Sequence, residues 1–170
     1  FEGSDEYIQK KLKISVSIKK GKISAYRAKK ITSSINLNKN NHYLKEKYWE
    51  EIVPKSDSFI IEKDEFYILR SKEFIVVPEN NAAELEPFKD SFGNFRVHYA
   101  GFFDPGFGLV KGVPAVLELR AYDTPFMIKD GQLVGQLNYY QIEKSSKNIY
   151  GKKIKSNYYN QRLKLAKQFK

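Results

Sequence analysis

The chain has 170 residues, 41% hydrophobic and 15% aromatic, a globular composition long enough for one cored domain and too short for two of ordinary size. It contains no cysteine, which excludes disulfides, thiolate catalysis and every Cys-ligated zinc or iron–sulfur site, and its two histidines, His42 and His98, leave little for a His-rich metal centre. A formal charge of +10 raises a nucleic-acid surface or polyphosphate affinity, but the lysines are spread from Lys10 to Lys30 and again from Lys144 to Lys170, a pattern that AT-rich coding also produces, so a solvated surface charge is the plainer reading.

In chain order, residues 1–6 lack the pattern of a signal peptide, and no apolar run approaches the ~18 residues that span a bilayer, so a cytoplasmic location is expected. Residues 13–18 alternate Ile14, Val16 and Ile18 with charged or hydroxyl residues, the period of a half-buried strand. Residues 23–28 are expected to pair with them across Lys19-Lys20-Gly21-Lys22. Residues 32–47, rich in Asn and Lys, read as a long loop with at most a short helix, and Tyr48-Trp49 as the aromatic anchor that returns the chain to the core. Strands are expected at 58–61, 66–69 and 74–77, the last stopped by Pro78, and a helical turn within 80–88 around Ala82, Ala83 and Leu85. Further strands are expected at 94–100, 115–120, 125–128 and 133–140, with Asp130-Gly131 as a turn. The tail from Ser145 is basic, with Leu163 and Leu165 among lysines, and reads as a mobile or docking arm. Short strands with regular turn signals and no long amphipathic helix predict an all-β barrel, sandwich or jelly roll.

Two segments suggest chemistry. The run from Phe95 to Gly108 contains Asp104-Pro-Gly, a turn in its own right, which would also carry Asp104 to a site, with Gly101 and Gly106 letting backbone approach a ligand. In the strand at 115–120, alternation puts Glu118 on one face with Val116 and Arg120, and Leu117 and Leu119 on the other. An acid so placed is ordinarily a solvated one; if the face lines a closed pocket, it is suited to proton transfer.

Together these residues carry a resemblance. His98, Asp104-Pro-Gly-Phe107, Val116-Leu-Glu118 and Gly131-Gln-Leu-Val-Gly-Gln-Leu137 follow in the order of the dCTP deaminases, a family within the dUTPase-like superfamily. The segments 66–73, 117–120, 156–158 and 163–169 point in particular to the C-terminal lobe of the long, two-lobed bacterial form. The resemblance implies an all-β, dUTPase-like distorted barrel or jelly roll with at most short helices, formed by residues 1–149, and a basic arm, 150–170, that closes over nucleotide. It implies hydrolytic deamination of dCTP to dUTP and ammonia, in deoxynucleotide synthesis. Glu118 would activate water for attack at C4 and return a proton to the leaving ammonia. Asp104 would hold the deoxyribose 3′-hydroxyl, a charge-assisted hydrogen bond. Ala100 and the backbone around Val116 would hold the water and read the pyrimidine edge. Tyr150 and Gln161 would belong to the closing arm, with Lys155 in place of a family lysine whose own position is Asn157. Magnesium would ride on the triphosphate, with no protein ligand and no zinc. Gln136 would face a threefold axis in a trimer or higher homo-oligomer. Arg120 and Trp49 are read as structural, and His98 as hydrogen-bonded or core-facing.

One family element is missing. Short dCTP deaminases grip phosphate with a Gly-Arg-Ser-Ser-x-x-x-Arg motif; the corresponding stretch, 86–96, has only Lys89, Ser91 and Arg96 of suitable chemistry. The chain therefore reads as a second lobe without its N-terminal partner lobe. The alternatives are a non-catalytic nucleotide-binding or assembly lobe, a dUTPase-type hydrolase, and, more weakly, a basic barrel that binds single-stranded nucleic acid through Tyr and Phe. No membrane partner is expected.

Overall fold

Period-two patterning becomes strands across the described residues. The computed structural model describes residues 8–30, 33–87, 95–98, 101–109, 111–143 and 163–170, with the backbone alone at 8, 9, 87 and 95–98. Among these residues the strands are β1 (Ile8–Ser15), β2 (Ala25–Ala28), β3 (Trp49–Ile52), β4 (Ser58–Ile61), β5 (Phe66–Ile75), β6 (Asn81–Pro87), β7 (Phe95–His98), β8 (Phe102–Phe103), β9 (Val113–Ala121), β10 (Phe126–Lys129) and β11 (Leu133–Gln141). A 3-10 turn, Lys45–Lys47, lies in the polar loop, where the sequence allows a short helix.

The strands form a four-stranded sheet, β1-β11-β6-β8, a five-stranded sheet, β3-β2-β5-β9-β7, and a two-stranded ribbon, β10-β4. Their apolar faces share one core. Ile14 of β1, Ala83 and Leu85 of β6 and Leu137 of β11 join Tyr67, Leu69 and Ile75 of β5, Leu117 and Leu119 of β9, and Ile61 and Ile128 of the ribbon. Each such side chain contributes about 1.5–3 kcal/mol on full burial, which is why these strands turn apolar side chains inward. The all-β class expected from the sequence is the observed one.

Three local expectations are corrected. The chain does turn at Lys19–Lys22, where the Lys22 N–H donates to the Lys19 carbonyl at 3.2 Å, but the flanking strands do not pair. β1 pairs with β11, and β2 with β3 and β5, because a strand–turn–strand pattern specifies a reversal and not the neighbours. The helical turn expected within 80–88 is strand β6. Asn81, Ala83 and Leu85 are buried while Ala82, Glu84 and Glu86 are half-exposed, and pairing between β11 and β8 overrides the helix propensity of Ala, Glu and Leu. The strands expected at 66–69 and 74–77 are one strand, β5, interrupted by a bulge. Arg70 pairs with Val116 and Phe74 with Pro114, so β5 carries two more residues than β9 over that stretch.

Polar groups hold the bulge. The buried Ser71 hydroxyl accepts the Ala115 N–H at 2.8 Å and donates to the Glu73 carbonyl at 2.8 Å. The Glu73 carboxylate accepts the Ser15 N–H at 2.8 Å and the Ser15 hydroxyl at 2.6 Å, tying the end of β1 to β5. Asp130, in the expected turn before β11, accepts the Ile18 N–H at 2.9 Å and Lys72 Nζ at 2.6 Å.

The Lys72 ammonium, more than the Ile18 N–H, holds the Asp130 carboxyl below the usual carboxylate range, against an opposing effect of partial burial. A pKa depressed in the folded state gives stability that is full above the unfolded value near 3.9 and is lost as pH falls through the folded one. Asp130→Asn should therefore cost about 0.5–1.5 kcal/mol at pH 7 and progressively less below about pH 4. Urea unfolding at the two pH values checks this; a deficit independent of pH would show that the ion pair is not its source.

Candidate functional site

The face that carries Glu118 is the outer face of the five-stranded sheet. Leu117 and Leu119 are fully buried in the core, while Val116, Glu118 and Arg120 are half-buried on the other side, as alternation predicts. In register, Glu118 lies between Ile68 of β5 and His98 of β7. Val116 lies opposite Arg70, and Arg120 opposite Phe66 and Arg96. The Glu118 carboxylate has no hydrogen-bond or ion-pair partner among the described residues. A half-buried acid without a committed partner is free to engage a ligand or a water.

An apolar cluster shapes the rest of this face. Tyr26, Ile68 and Leu165 are buried together, with Trp49, Phe66, Val116, Leu163 and Phe169 packed against them. Residues 163–170 thus dock on the sheet that carries Glu118, in keeping with the docking-arm reading. The polar loop holds them there: Asn41 donates to the Lys167 carbonyl, His42 and Tyr43 to that of Gln168, and Lys170 to that of Tyr43. The Phe169 ring meets Tyr48 at 5.5 Å and Trp49 at 6.0 Å, so the anchor expected at Tyr48-Trp49 receives the C-terminal segment. Arg120 places its guanidinium carbon 5.8 Å from the Phe66 ring centre. Its Nε, like Trp49 Nε1, is buried without a hydrogen-bond partner among the described residues, an opportunity for a polar ligand or water that the sequence does not signal.

Asp104 stands elsewhere. It follows β8, at the edge of the four-stranded sheet, and is exposed. Its carbonyl accepts the Phe107 N–H at 3.0 Å, the turn expected of Asp-Pro-Gly. The flanking Phe103 and Phe107 are buried edge to face, with ring centres 5.0 Å apart, so the exposed carboxylate sits on a turn pinned from both sides. Gly101 makes a close approach to β6: its carbonyl accepts the Leu85 N–H, and a Cβ there would stand 2.9 Å from the Leu85 carbonyl oxygen.

Glu118 and Val116 therefore share a face, whereas Asp104 lies on another sheet, with no contact between the two acids among the described residues. Ala100, Tyr150, Lys155 and Gln161 lie outside the described residues, as do Lys89 and Ser91. Gln136, on β11, is half-buried and donates through Nε2 to Asn138 Oδ1 at 2.8 Å. Among the described residues no three His, Asp or Glu side chains gather as a cation site.

Comparison with known proteins gives a consistent set of relatives. Residues 1–169 match the family described as 2'-deoxycytidine 5'-triphosphate deaminase (DCD), C-terminal domain. A protein of Thermobifida fusca named "dCTP deaminase, dUMP-forming" is 32% identical over 108 residues, 61% of this chain and 53% of its own length. A Beutenbergia cavernae protein of the same name is 34% identical over 104 residues, 58% of this chain and 51% of its own. The crystal structure of 2'-deoxycytidine 5'-triphosphate deaminase from Agrobacterium tumefaciens superposes with a TM-score of 0.72 at 38% identity, over 79% of this chain and 42% of that one. The chain spans about half the length of the curated relatives it matches.

Proposed function

The chain belongs to the family of dCTP deaminase C-terminal domains, and from that premise we propose that it binds dCTP and supplies Glu118 as the general base and acid of its hydrolytic deamination. The observation that carries this reading is Glu118 itself: a half-buried carboxylate on a packed strand, uncommitted among the described residues, in the Val-Leu-Glu segment to which the sequence resemblance gives the role of catalytic glutamate. In the proposed step Glu118 takes a proton from water as the oxygen bonds to C4. The C4–N3 π pair goes to N3, which takes that proton; the proton of the new hydroxyl then passes through Glu118 to the exocyclic nitrogen, and the C4 carbonyl forms as the C–N bond breaks and ammonia leaves. The atoms balance as dCTP plus water to dUTP plus ammonia.

The named relatives are dUMP-forming; for this chain such a product would need a second hydrolysis, dUTP plus water to dUMP plus pyrophosphate. We extend the expected product accordingly, to dUTP or dUMP. Magnesium would enter on the triphosphate as part of the substrate. The backbone at Val116 would read the base, and Ala100 the water. Tyr150, Lys155 and Gln161 would close over the nucleotide from residues 150–170. The position of Asp104 on a different sheet from Glu118 favours a site completed between chains, through a homo-oligomer built on Gln136-bearing strands or a partner N-terminal lobe.

Asp104→Ala should weaken dCTP binding about 10- to 100-fold, the loss of one charge-assisted hydrogen bond. Calorimetric titration of dCTP tests it; unchanged affinity would remove Asp104 from the sugar site. The span of about half a relative favours a second reading, a binding lobe that is silent without its partner. It predicts the same nucleotide affinity with no product.

A further inference from the structure

A cleft of about 650 Å³ opens beside the β5 bulge, lined by five cationic side chains, Lys19, Lys22, Arg70, Lys72 and Lys111, and one carboxylate, Asp130. Three separate devices bring them together. The Lys19–Lys22 turn supplies two, the bulge aims Arg70 and Lys72, and Lys111 precedes β9. The single carboxylate is already engaged by Lys72 and the Ile18 N–H. Lys19, Lys22, Arg70 and Lys111 therefore have no ion-pair partner among the described residues. Some cations outside the cleft do pair with acids, as in Arg27–Glu50, Lys30–Glu65 and Lys45–Glu51. A solvated, evenly spread charge does not explain this concentration.

Like charges gathered in a concavity focus their field and attract anions. The Arg70 guanidinium has a planar fork suited to phosphate, with one nitrogen 3.4 Å from the Ser17 hydroxyl, which also lines the cleft. The volume lies in the range of small-molecule sites. We propose that this cleft binds a polyphosphate chain. Arg70 lies opposite Val116, whose side chain shares the Glu118 face, so the cleft adjoins that face and a nucleotide's own tail is one source of the ligand; free polyphosphate is the other. The proposal does not depend on the deaminase reading, because binding of a bare polyphosphate requires nothing of Glu118.

Inorganic tripolyphosphate titrated calorimetrically into the full chain tests it. Saturable binding is expected, weakening as salt rises. The Arg70→Gln/Lys111→Gln chain should lose affinity by about tenfold or more. A Lys10→Gln/Lys39→Gln chain, which loses the same charge at exposed sites outside the cleft, should lose under about threefold. Circular dichroism and urea midpoints establish that both variants are folded. Absence of saturable binding by the wild type, or equal losses in the two variants, would overturn the proposal. Displacement of tripolyphosphate by dCTP assigns the cleft to a nucleotide tail, and binding of both together assigns it to free polyphosphate; either result retains the cleft.

Discussion

Glu118→Gln is expected to lower dCTP deamination by about 10²–10⁴-fold, the usual contribution of a positioned general base. The substitution keeps the volume and the hydrogen-bonding capacity of the side chain but removes its ability to take a proton from water. The surroundings make it a clean test. Glu118 is half-buried between Ile68 and His98 in register, and its carboxylate holds no partner among the described residues that the change would orphan. Stability should therefore stay within about 0.5 kcal/mol of wild type. Affinity for dCTP should change only a few-fold, because the lost interaction is worth most as charge develops in the transition state. Steady-state turnover and calorimetric binding, measured on the same preparation, separate the two effects. Equal losses in binding and turnover would make Glu118 a binding residue and not the proton carrier.

The largest effect on stability is expected from Gly108→Ala. Gly108 has φ of +69°, and a Cβ there would overlap the Ile75 carbonyl oxygen outright and stand 3.2 Å from the Val113 nitrogen. Both neighbours are strand backbone, which cannot swing aside as a side chain tip does. The turn is also locked: the Gly112 N–H donates to the Gly108 carbonyl, and the Val77 N–H to that of Phe107. A left-handed alanine alone costs about 1–2 kcal/mol; with the overlap the total should reach about 3–5 kcal/mol, a large part of a small domain's stability. Gly21→Ala is the internal control, since Gly21 has φ of +68° with nothing within 4 Å of its Cβ position. It should cost only the conformational part. Urea midpoints of the two variants decide the matter; equal midpoints would show that Gly108 lacks the close contact described.

The parts legible in the sequence were those set by local alternation and local turn chemistry. Leu117 and Leu119 inward with Glu118 outward follows from a period of two, and the turns at Asp104 and Asp130 follow from residues that favour them. What period cannot express is which strand lies beside which, hence the hairpin at 19–22 that turns without pairing. The polar run Arg70–Glu73 looks like a gap between strands because a bulge and a loop share a composition; Ser71 and Glu73 each satisfy backbone groups far along the chain, which only the fold brings near. β6 was hidden by helix-forming residues that two neighbouring strands hold extended. The cationic cleft was hidden for the same reason as the bulge: its lysines are scattered through 19–111 and read as dispersed charge.

The most direct test of the central claim is release of ammonia from dCTP by the purified chain with magnesium, with uracil nucleotides resolved by chromatography. The account predicts ammonia in equal amount to dUTP plus dUMP from the wild type, and formation at least about a hundredfold slower from Glu118→Gln. Equal ammonia from both chains, or dCTP bound by the wild type with no ammonia formed, would contradict the assignment of deamination to Glu118 in this chain.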